Sequence, residues 1–424
     1  MSRICAKHFY FFSLFTVTSF AAAAQSSNKE NAPYSRYGIG EQYTGTNVAL
    51  RGMGYTSTAY SNGAAVNTEN PASYAFLKLT TYEAGFTGGT RTITAGNLSY
   101  TTGSASLGYL NMAFPLGKRG GLALGLKPQS RVFYHSVDSL SRTGLGRTAE
   151  EYTGEGGLNF AYVGAAAQRG GFSLGFNFGY MFGTIRNTAR LVELDSIHAQ
   201  NSDFSSFTKL GGIYWKGGAQ YKTDINKKLM LSLGATATIS QSLNANQDNY
   251  LAAFHYESGT EVQDTAYATT GRSGKVQLPL ALSFGAGLSG KNWAAYVDVS
   301  RAQWGQFRRY GEPDSLADAT MRYSVGAEFT PDPFATRSYT SRITYRLGFY
   351  YGQDYVKLRN TDINYYAVTA GASLPFKRST DRIHLALEVG QHGTETNNLV
   401  KETFFKIHVG LSLNDKWFIK RRYD

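Results

Sequence analysis

The chain has 424 residues, only 17% of them charged but 14% aromatic, with a formal net charge of +12. That charge content falls below the usual ~25%, yet past the first residues no run approaches the ~20 apolar residues of a membrane helix. A helical membrane protein is excluded, and an ordinary soluble domain fits the composition poorly.

The first 24 residues predict an export signal. Arg3 and Lys7 supply a positive start, Phe9 to Phe20 an apolar core, and Ala22-Ala23-Ala24 a small-residue cleavage site before Gln25. The single cysteine, Cys5, lies inside this segment without a lipobox. The mature chain then has no disulfide, thiolate metal site or cysteine nucleophile. Without Arg3 and Lys7 the charge is +10, and the basic residues gather at turns and in the tail KRRYD. They form no stripe along one helix, so nucleic-acid binding is not expected.

Residues 25–75 are polar, rich in Gly and Tyr, and show no sustained alternation. Their apolar and aromatic content predicts a compact plug packed inside something larger. From Leu79 a two-residue rhythm begins. Its clearest stretch is GFSLGFNFGYMFG, Gly171 to Gly183. Phe172, Leu174, Phe176, Phe178, Tyr180 and Phe182 share one parity, and mostly glycine occupies the other. Successive strand side chains point to opposite faces. One face is therefore bulky and the other nearly bare, as a strand needs with lipid outside and a crowded lumen inside.

The same rhythm divides the chain into fourteen strands, near 79–90, 103–116, 121–135, 152–168, 171–196, 206–223, 228–255, 267–290, 291–309, 319–330, 341–357, 362–376, 382–393 and 403–416. Connections alternate between short turns, such as QRGG (168–171) and SGKN (289–292), and longer polar loops, such as 135–152 and 304–319. Short periplasmic turns and long outer loops are the outer-membrane arrangement. The expected fold is an all-β transmembrane antiparallel barrel in the outer membrane of a Gram-negative bacterium. The expected domains are a signal peptide (1–24), a hatch in the lumen (25–75) and the barrel (76–424). Trp417 and Phe418 close the last strand with interfacial aromatics.

Two patterns imitate catalytic motifs, and the histidines offer a third place to look for chemistry. Gly171-Phe172-Ser173-Leu174-Gly175 satisfies G-x-S-x-G, but alternation runs straight through where a nucleophile elbow needs a strand-to-helix turn. Gly285 to Lys291 approaches a phosphate loop, but Asn292 lacks the hydroxyl that holds Mg²⁺ and a strand follows instead of a helix. His135, His198, His255, His384, His392 and His408 lack metal-ligand spacing. An outer-membrane lipase needs a Ser/His pair on the outer face, whereas His384 and His408 take the inward parity. No enzyme, cofactor or metal site is expected.

The inward parity carries Asp298, Arg322, Glu328, Arg342, Arg346, Glu388 and Lys406. They read either as a lumen lining that pairs its own charges or as contacts for a ligand headgroup or the plug. Pro128 cannot donate to a ladder, and a closed barrel has no edge to put it on. It marks a break, either at the membrane rim or as a gap in the wall.

With its leader, a plug-like segment of about fifty residues and about fourteen strands, the chain resembles the FadL-type (OmpP1/FadL/TodX) outer-membrane transporters of hydrophobic compounds. Asn70-Pro71-Ala72 matches that family's short motif after a glycine-rich stretch, here Leu50-Arg51-Gly52-Met53-Gly54. The resemblance implies a monomer whose hatch fills the lumen, with the Asn-Pro-Ala segment beside a kink in the third strand that opens the wall sideways. Pro128 lies in the third predicted strand. A hydrophobic small molecule, long-chain fatty-acid-like, would then pass from outside into the outer-membrane lipid. The alternative is a similar barrel serving protein secretion, with exported proteins as partners. A diffusion porin for polar solutes is a third reading, opposed by a plug that fills the lumen.

Overall fold

The computed structural model describes residues 31–142, 146–196, 199–257, 259–314, 316–377 and 379–417. The signal peptide, Phe418 and the basic tail lie outside them. Fourteen antiparallel strands close into a ring, the last pairing with the first (Lys401↔Thr94 to Asp415↔Thr80). They are β1 (Thr80–Ala95), β2 (Leu98–Leu116), β3 (Gly120–Arg142), β4 (Gly146–Arg169), β5 (Phe172–Glu193), β6 (Asn201–Asn226), β7 (Leu229–Thr238 and Gln241–Glu257) and β8 (Thr260–Leu278 and Ala281–Ser289). They continue with β9 (Trp293–Ala302), β10 (Thr320–Phe329), β11 (Thr344–Leu358), β12 (Thr361–Pro375), β13 (Arg382–Gly393) and β14 (Lys401–Asp415).

The alternation has the sense expected. Phe172, Leu174, Phe176, Phe178, Tyr180 and Phe182 are exposed on the outer face, while Ser173, Asn177 and Met181 are buried. Above Phe182 the outward parity of β5 turns polar, with Thr184, Arg186, Thr188 and Arg190, so the lipid-facing belt ends there. Trp417 meets Tyr82 edge-on (5.9 Å) and lies tilted against Phe114 (5.6 Å) at the short-turn rim. Amphipathic rings gather at such an interface.

Several boundaries differ from expectation, for one physical reason. The ladder expected to end near 135 continues, β3 running to Arg142 and β4 starting at Gly146, which pair. The ladders likewise continue through 90–103 up to Ala95↔Leu98 and through the described residues of 255–267 up to Glu257↔Thr260. Beyond the bilayer both strand faces meet water, so the rhythm that marks a strand in lipid disappears although the ladder continues. The wall is therefore tall from β3 to β8 and low at β9 and β10. The expected strands at 228–255 and 267–290 are each broken, after Thr238 and after Leu278. At the first break the Gln241 side chain replaces the ladder, accepting from Trp215 N–H (2.8 Å) and donating to Trp215 C=O (2.9 Å). At the second, Pro279 removes a donor.

The segment from Asn31 to Leu79 packs against the inner wall as short turns and helices, and most of it is buried. The bare parity makes room for it. A Cβ on Gly175 would meet the Pro71 backbone, on Gly234 that of Thr58, on Gly326 that of Met53 and on Gly348 that of Gly54, all too close for any real side chain. The glycine face is thus a seat for backbone.

Two substitutions of opposite kind test this arrangement. Phe178→Arg places a cation in the lipid belt and is expected to cost about 2–4 kcal/mol in urea-unfolding titrations in lipid vesicles. Gly234→Val should leave the barrel folded but expose 31–79 to protease, since overpacking costs about 1–3 kcal/mol.

Candidate functional site

The wall is interrupted between β2 and β3. Their ladder runs from Leu116↔Gly120 to Leu110↔Leu126 and stops. Among the described residues, no backbone pairing joins 98–109 to 127–142. The N-terminal segment takes the missing place: Glu41 pairs with Arg131 and Gln42 with Ser130. Tyr43 N–H donates to Gln129 C=O (2.9 Å) and Ala32 N–H to Phe133 C=O (2.9 Å). Asn31 bridges the top, its backbone N–H donating to Thr102 Oγ1 (3.1 Å) and its side chain bonding His135 on both sides of the amide (2.8 and 3.0 Å). One side chain also spans the gap, Arg131 donating to Leu107 C=O (2.9 Å).

Pro128 stands at the lower corner of this window. The β3–β4 register shifts between Pro128 and Ser130. Opposite, Gly156 and Gly157 take φ of 124° and 138°, a backbone that a side chain would strain. A cavity of about 630 Å³ spans the window, lined by Phe182 of the outward parity and Lys406 of the inward one, with Ser104, Ala105, Pro128 and Phe133 among others. Directly below it, the outer face forms an apolar groove of about 930 Å³ that includes Leu110, Leu126, Val163 and Phe178. Window and groove share the last rung of the ladder.

Asn70-Pro71-Ala72 is placed elsewhere than beside the third-strand kink. It packs on Gly175 of β5 and Gly218 of β6. Asn70 caps the following turn by accepting from Ala72 N–H (3.1 Å) and donates to Thr58 C=O (2.6 Å) and Ala219 C=O (3.2 Å). The link to the kink runs through its neighbour. Glu69 is ion-paired with Lys127 (2.7 Å), the residue before Pro128, and with Lys216 (2.8 Å), where β6 is bridged by Gln241. Burial alone would raise the Glu69 carboxyl, but the two ammonium groups more than offset it and hold it well below the usual carboxylate range.

The inward charges divide. Asp298 accepts Ser57 N–H (2.7 Å) and Thr58 N–H (2.9 Å). Glu388 accepts from Tyr55 (2.5 Å) and Tyr350 (2.6 Å) and meets His408 Nε2 (3.0 Å). Arg346 pairs with Glu328 (3.0 Å) and donates to Ser373. Lys406 lies 3.9 Å from Glu41. Arg322 lies over the rings of Tyr55 (5.0 Å) and Tyr350 (4.5 Å), in a lumen cavity of about 350 Å³. Arg342 departs from expectation: it belongs to the turn Thr340–Arg342, outside β11, where its guanidinium sits 5.2 Å from Tyr339. Pro331, Pro333 and Ser338 lengthen that connection, so the strand starts later than its apolar residues suggest.

His384 and His408 both face inward. His384 contacts Ser373 (2.5 Å) and Ser412 (3.0 Å), which leaves both ring nitrogens engaged in a buried site. Ser173 lies within β5, as the straight alternation required. Sequence reasoning missed Glu41, Arg91, Glu402 and His392. Arg91, 1% exposed, joins Glu41 (2.8 Å) to Glu402 (2.5 Å), and Glu402 meets His392 (3.2 Å). Arg91 and Glu402 sit above the alternating belt, where no periodicity marked them as inward.

A barrel of the outer-membrane type, its inner wall seating its own N-terminal segment, is what the fold and these contacts define. The family model of BamG matches residues 6–424, so the chain belongs to the BamG family. Among solved structures it is similar to the Pseudomonas putida toluene transporter TodX (16% identity, TM-score 0.60, covering 88% of this chain and 99% of that one). It is also similar to the Ralstonia pickettii toluene transporter TbuX (14%, 0.56, 87% and 98%) and to a Pseudomonas aeruginosa FadL homologue (12%, 0.55, 87% and 97%). At these identities the likeness is one of fold, the FadL-type barrel. Comparison with curated protein sequences finds no match.

The Glu69 contacts set a pH dependence. A carboxyl depressed on folding stabilises fully above its unfolded pKa (~4.3) and loses that contribution as pH falls through the folded value. Segment 31–79 should therefore stay protease-resistant from pH 8 to pH 5. Glu69→Gln leaves Lys127 and Lys216 facing each other unpaired, costs about 3 kcal/mol, and should open the segment to protease even at pH 7.

Proposed function

We propose that this barrel passes hydrophobic small molecules, fatty-acid-like amphiphiles among them, between its lumen and the outer leaflet through the window between β2 and β3. The observation that carries the reading is the ladder ending at Leu110–Leu126 while Glu41–Gln42 takes the vacant edge of β3. A two-residue pairing is a weak closure compared with a strand of the wall. On this reading, a shift of Asn31–Tyr43 opens a path from the lumen through the 630 Å³ cavity toward the apolar groove below it. A ligand leaving this way stays out of water, and each CH₂ kept buried is worth ~0.8 kcal/mol. The solved structures of similar fold include the monoaromatic hydrocarbon channel CymD and the toluene transporter TodX, which supports a hydrophobic cargo. Fatty-acid-like cargo is suited by Arg131 and Lys406, which line the cavity together with Ala105, Pro128, Val132 and Phe133.

The second reading, a component of protein secretion at the cell surface, is favoured by the lumen being largely filled and by the tall hairpins from β3 to β8.

The test locks the closure. In a Cys5→Ala background, Gln42→Cys with Ser130→Cys joins the N-terminal segment to β3 at directly paired positions. Oxidation should abolish proteoliposome flux of labelled palmitate and toluene, and reduction should restore it. Equal flux in both redox states contradicts lateral passage.

A further inference from the structure

The tall part of the wall ends in an uncovered edge. The upper half of β8, Thr260–Leu278, pairs with β7 on one side. On the other side, Arg308–Arg309 covers only Val276–Gln277. Tyr310 N–H adds one more bond, to Lys275 C=O (2.9 Å). There Tyr310 (φ 55°) and Gly311 (φ 88°) turn the chain away. Above that point no strand among the described residues pairs with this edge, and Thr260 to Ala268 are exposed on both faces. A row of apolar side chains leads to the same edge. Phe204 of β6 stands opposite Leu251 of β7, which stands opposite Tyr267 of β8. The three are 45%, 40% and 64% exposed. Phe204 pairs with Ala189, seven residues beyond the last belt residue of β5, Phe182, so the row stands clear of lipid. Phe204 shares its parity with buried Leu210, which turns the row toward the barrel mouth.

We propose that this edge is a docking site for an extended segment of a separate polypeptide at the cell surface, added antiparallel to β8 as a further strand. Backbone donors and acceptors along a strand are matched in spacing by another backbone, and side-chain pockets then set specificity. Arg308–Arg309 already occupies the base of the edge in that way. The occupant continues the row with an apolar residue beside Tyr267 and sets a carboxylate toward Arg272, whose guanidinium lies over the Tyr310 ring (4.7 Å); facing side chains are the unit of strand pairing. Register shifts after Thr265 and after Thr269 twist the edge, so it takes a short segment and does not seed open-ended sheet growth. The site does not depend on lateral passage of small molecules.

The test uses the full chain in lipid nanodiscs and a fluorescein-labelled twelve-residue peptide with leucine set to face Tyr267 and glutamate to face Arg272. Saturable polarisation change is expected. It should weaken at least about tenfold with Tyr267→Lys, and as much when the peptide carries lysine in place of glutamate, a factor equal to 1.4 kcal/mol. Tyr267 is a surface residue, and an unchanged heat-dependent gel shift shows that the variant barrel folds. No saturable binding to the unmodified chain overturns the proposal, as does binding indifferent to both changes. Sedimentation showing a Tyr267-dependent dimer also overturns it, because a second copy then holds the edge.

Discussion

Backbone lies against backbone along the inner wall, and the rest of the structure depends on that contact. A strand whose inner parity is glycine presents its peptide plane at van der Waals distance, and the N-terminal segment uses this at Gly175, Gly234, Gly326 and Gly348. One consequence is energetic. Buried backbone needs partners, and the wall supplies them through side chains spaced between the glycines: Asp298 for Ser57 and Thr58, Thr369 for Gly54, Asn177 for Thr68. The other is geometric. A segment seated so closely leaves only limited free space, and that space collects where the wall itself is irregular.

Two of these irregularities, the window and the break after Thr238, are tied to one carboxylate. Glu69 reaches Lys127 at the window and Lys216 beside the bridged stretch of β6. A buried ion pair adds little net stability, but losing one partner is costly, so such a group holds a particular arrangement better than it strengthens the fold. The Asn-Pro-Ala turn that follows is thereby held in register with both β3 and β6. Movement of the turn and movement of the window edge share the same contact.

Lipid made the fold legible in the sequence. Where strands cross the bilayer, every outward position must be apolar, and the count of fourteen, the parity of Phe172 to Phe182 and the inward placement of Glu388, Arg346 and Asp298 all follow from that rule. Where lipid ends, the rule ends, and the ladders continuing into 90–103, 135–152 and 255–267 read as loops. Pro128 was legible as a break because proline lacks a donor. Its surroundings were not, since the replacement of β2 by Glu41–Gln42 is a pairing across about ninety residues with no local signature. Glu69 stood next to the Asn-Pro-Ala motif without any spacing that tied it to Lys127. Arg342 was misplaced because parity alone extends a strand into a turn rich in Pro and Ser.

The central claim is that β2 and β3 part above Leu110–Leu126. Cysteine cross-linking in native membranes measures it directly. Continuing the register from that rung would place Ser106 opposite Ser130, whereas Met112 and Leu124 are true partners lower in the ladder. The account predicts that Met112→Cys with Leu124→Cys forms a disulfide under mild oxidation and that Ser106→Cys with Ser130→Cys does not. Equal cross-linking of the two pairs would mean an unbroken wall and would contradict it.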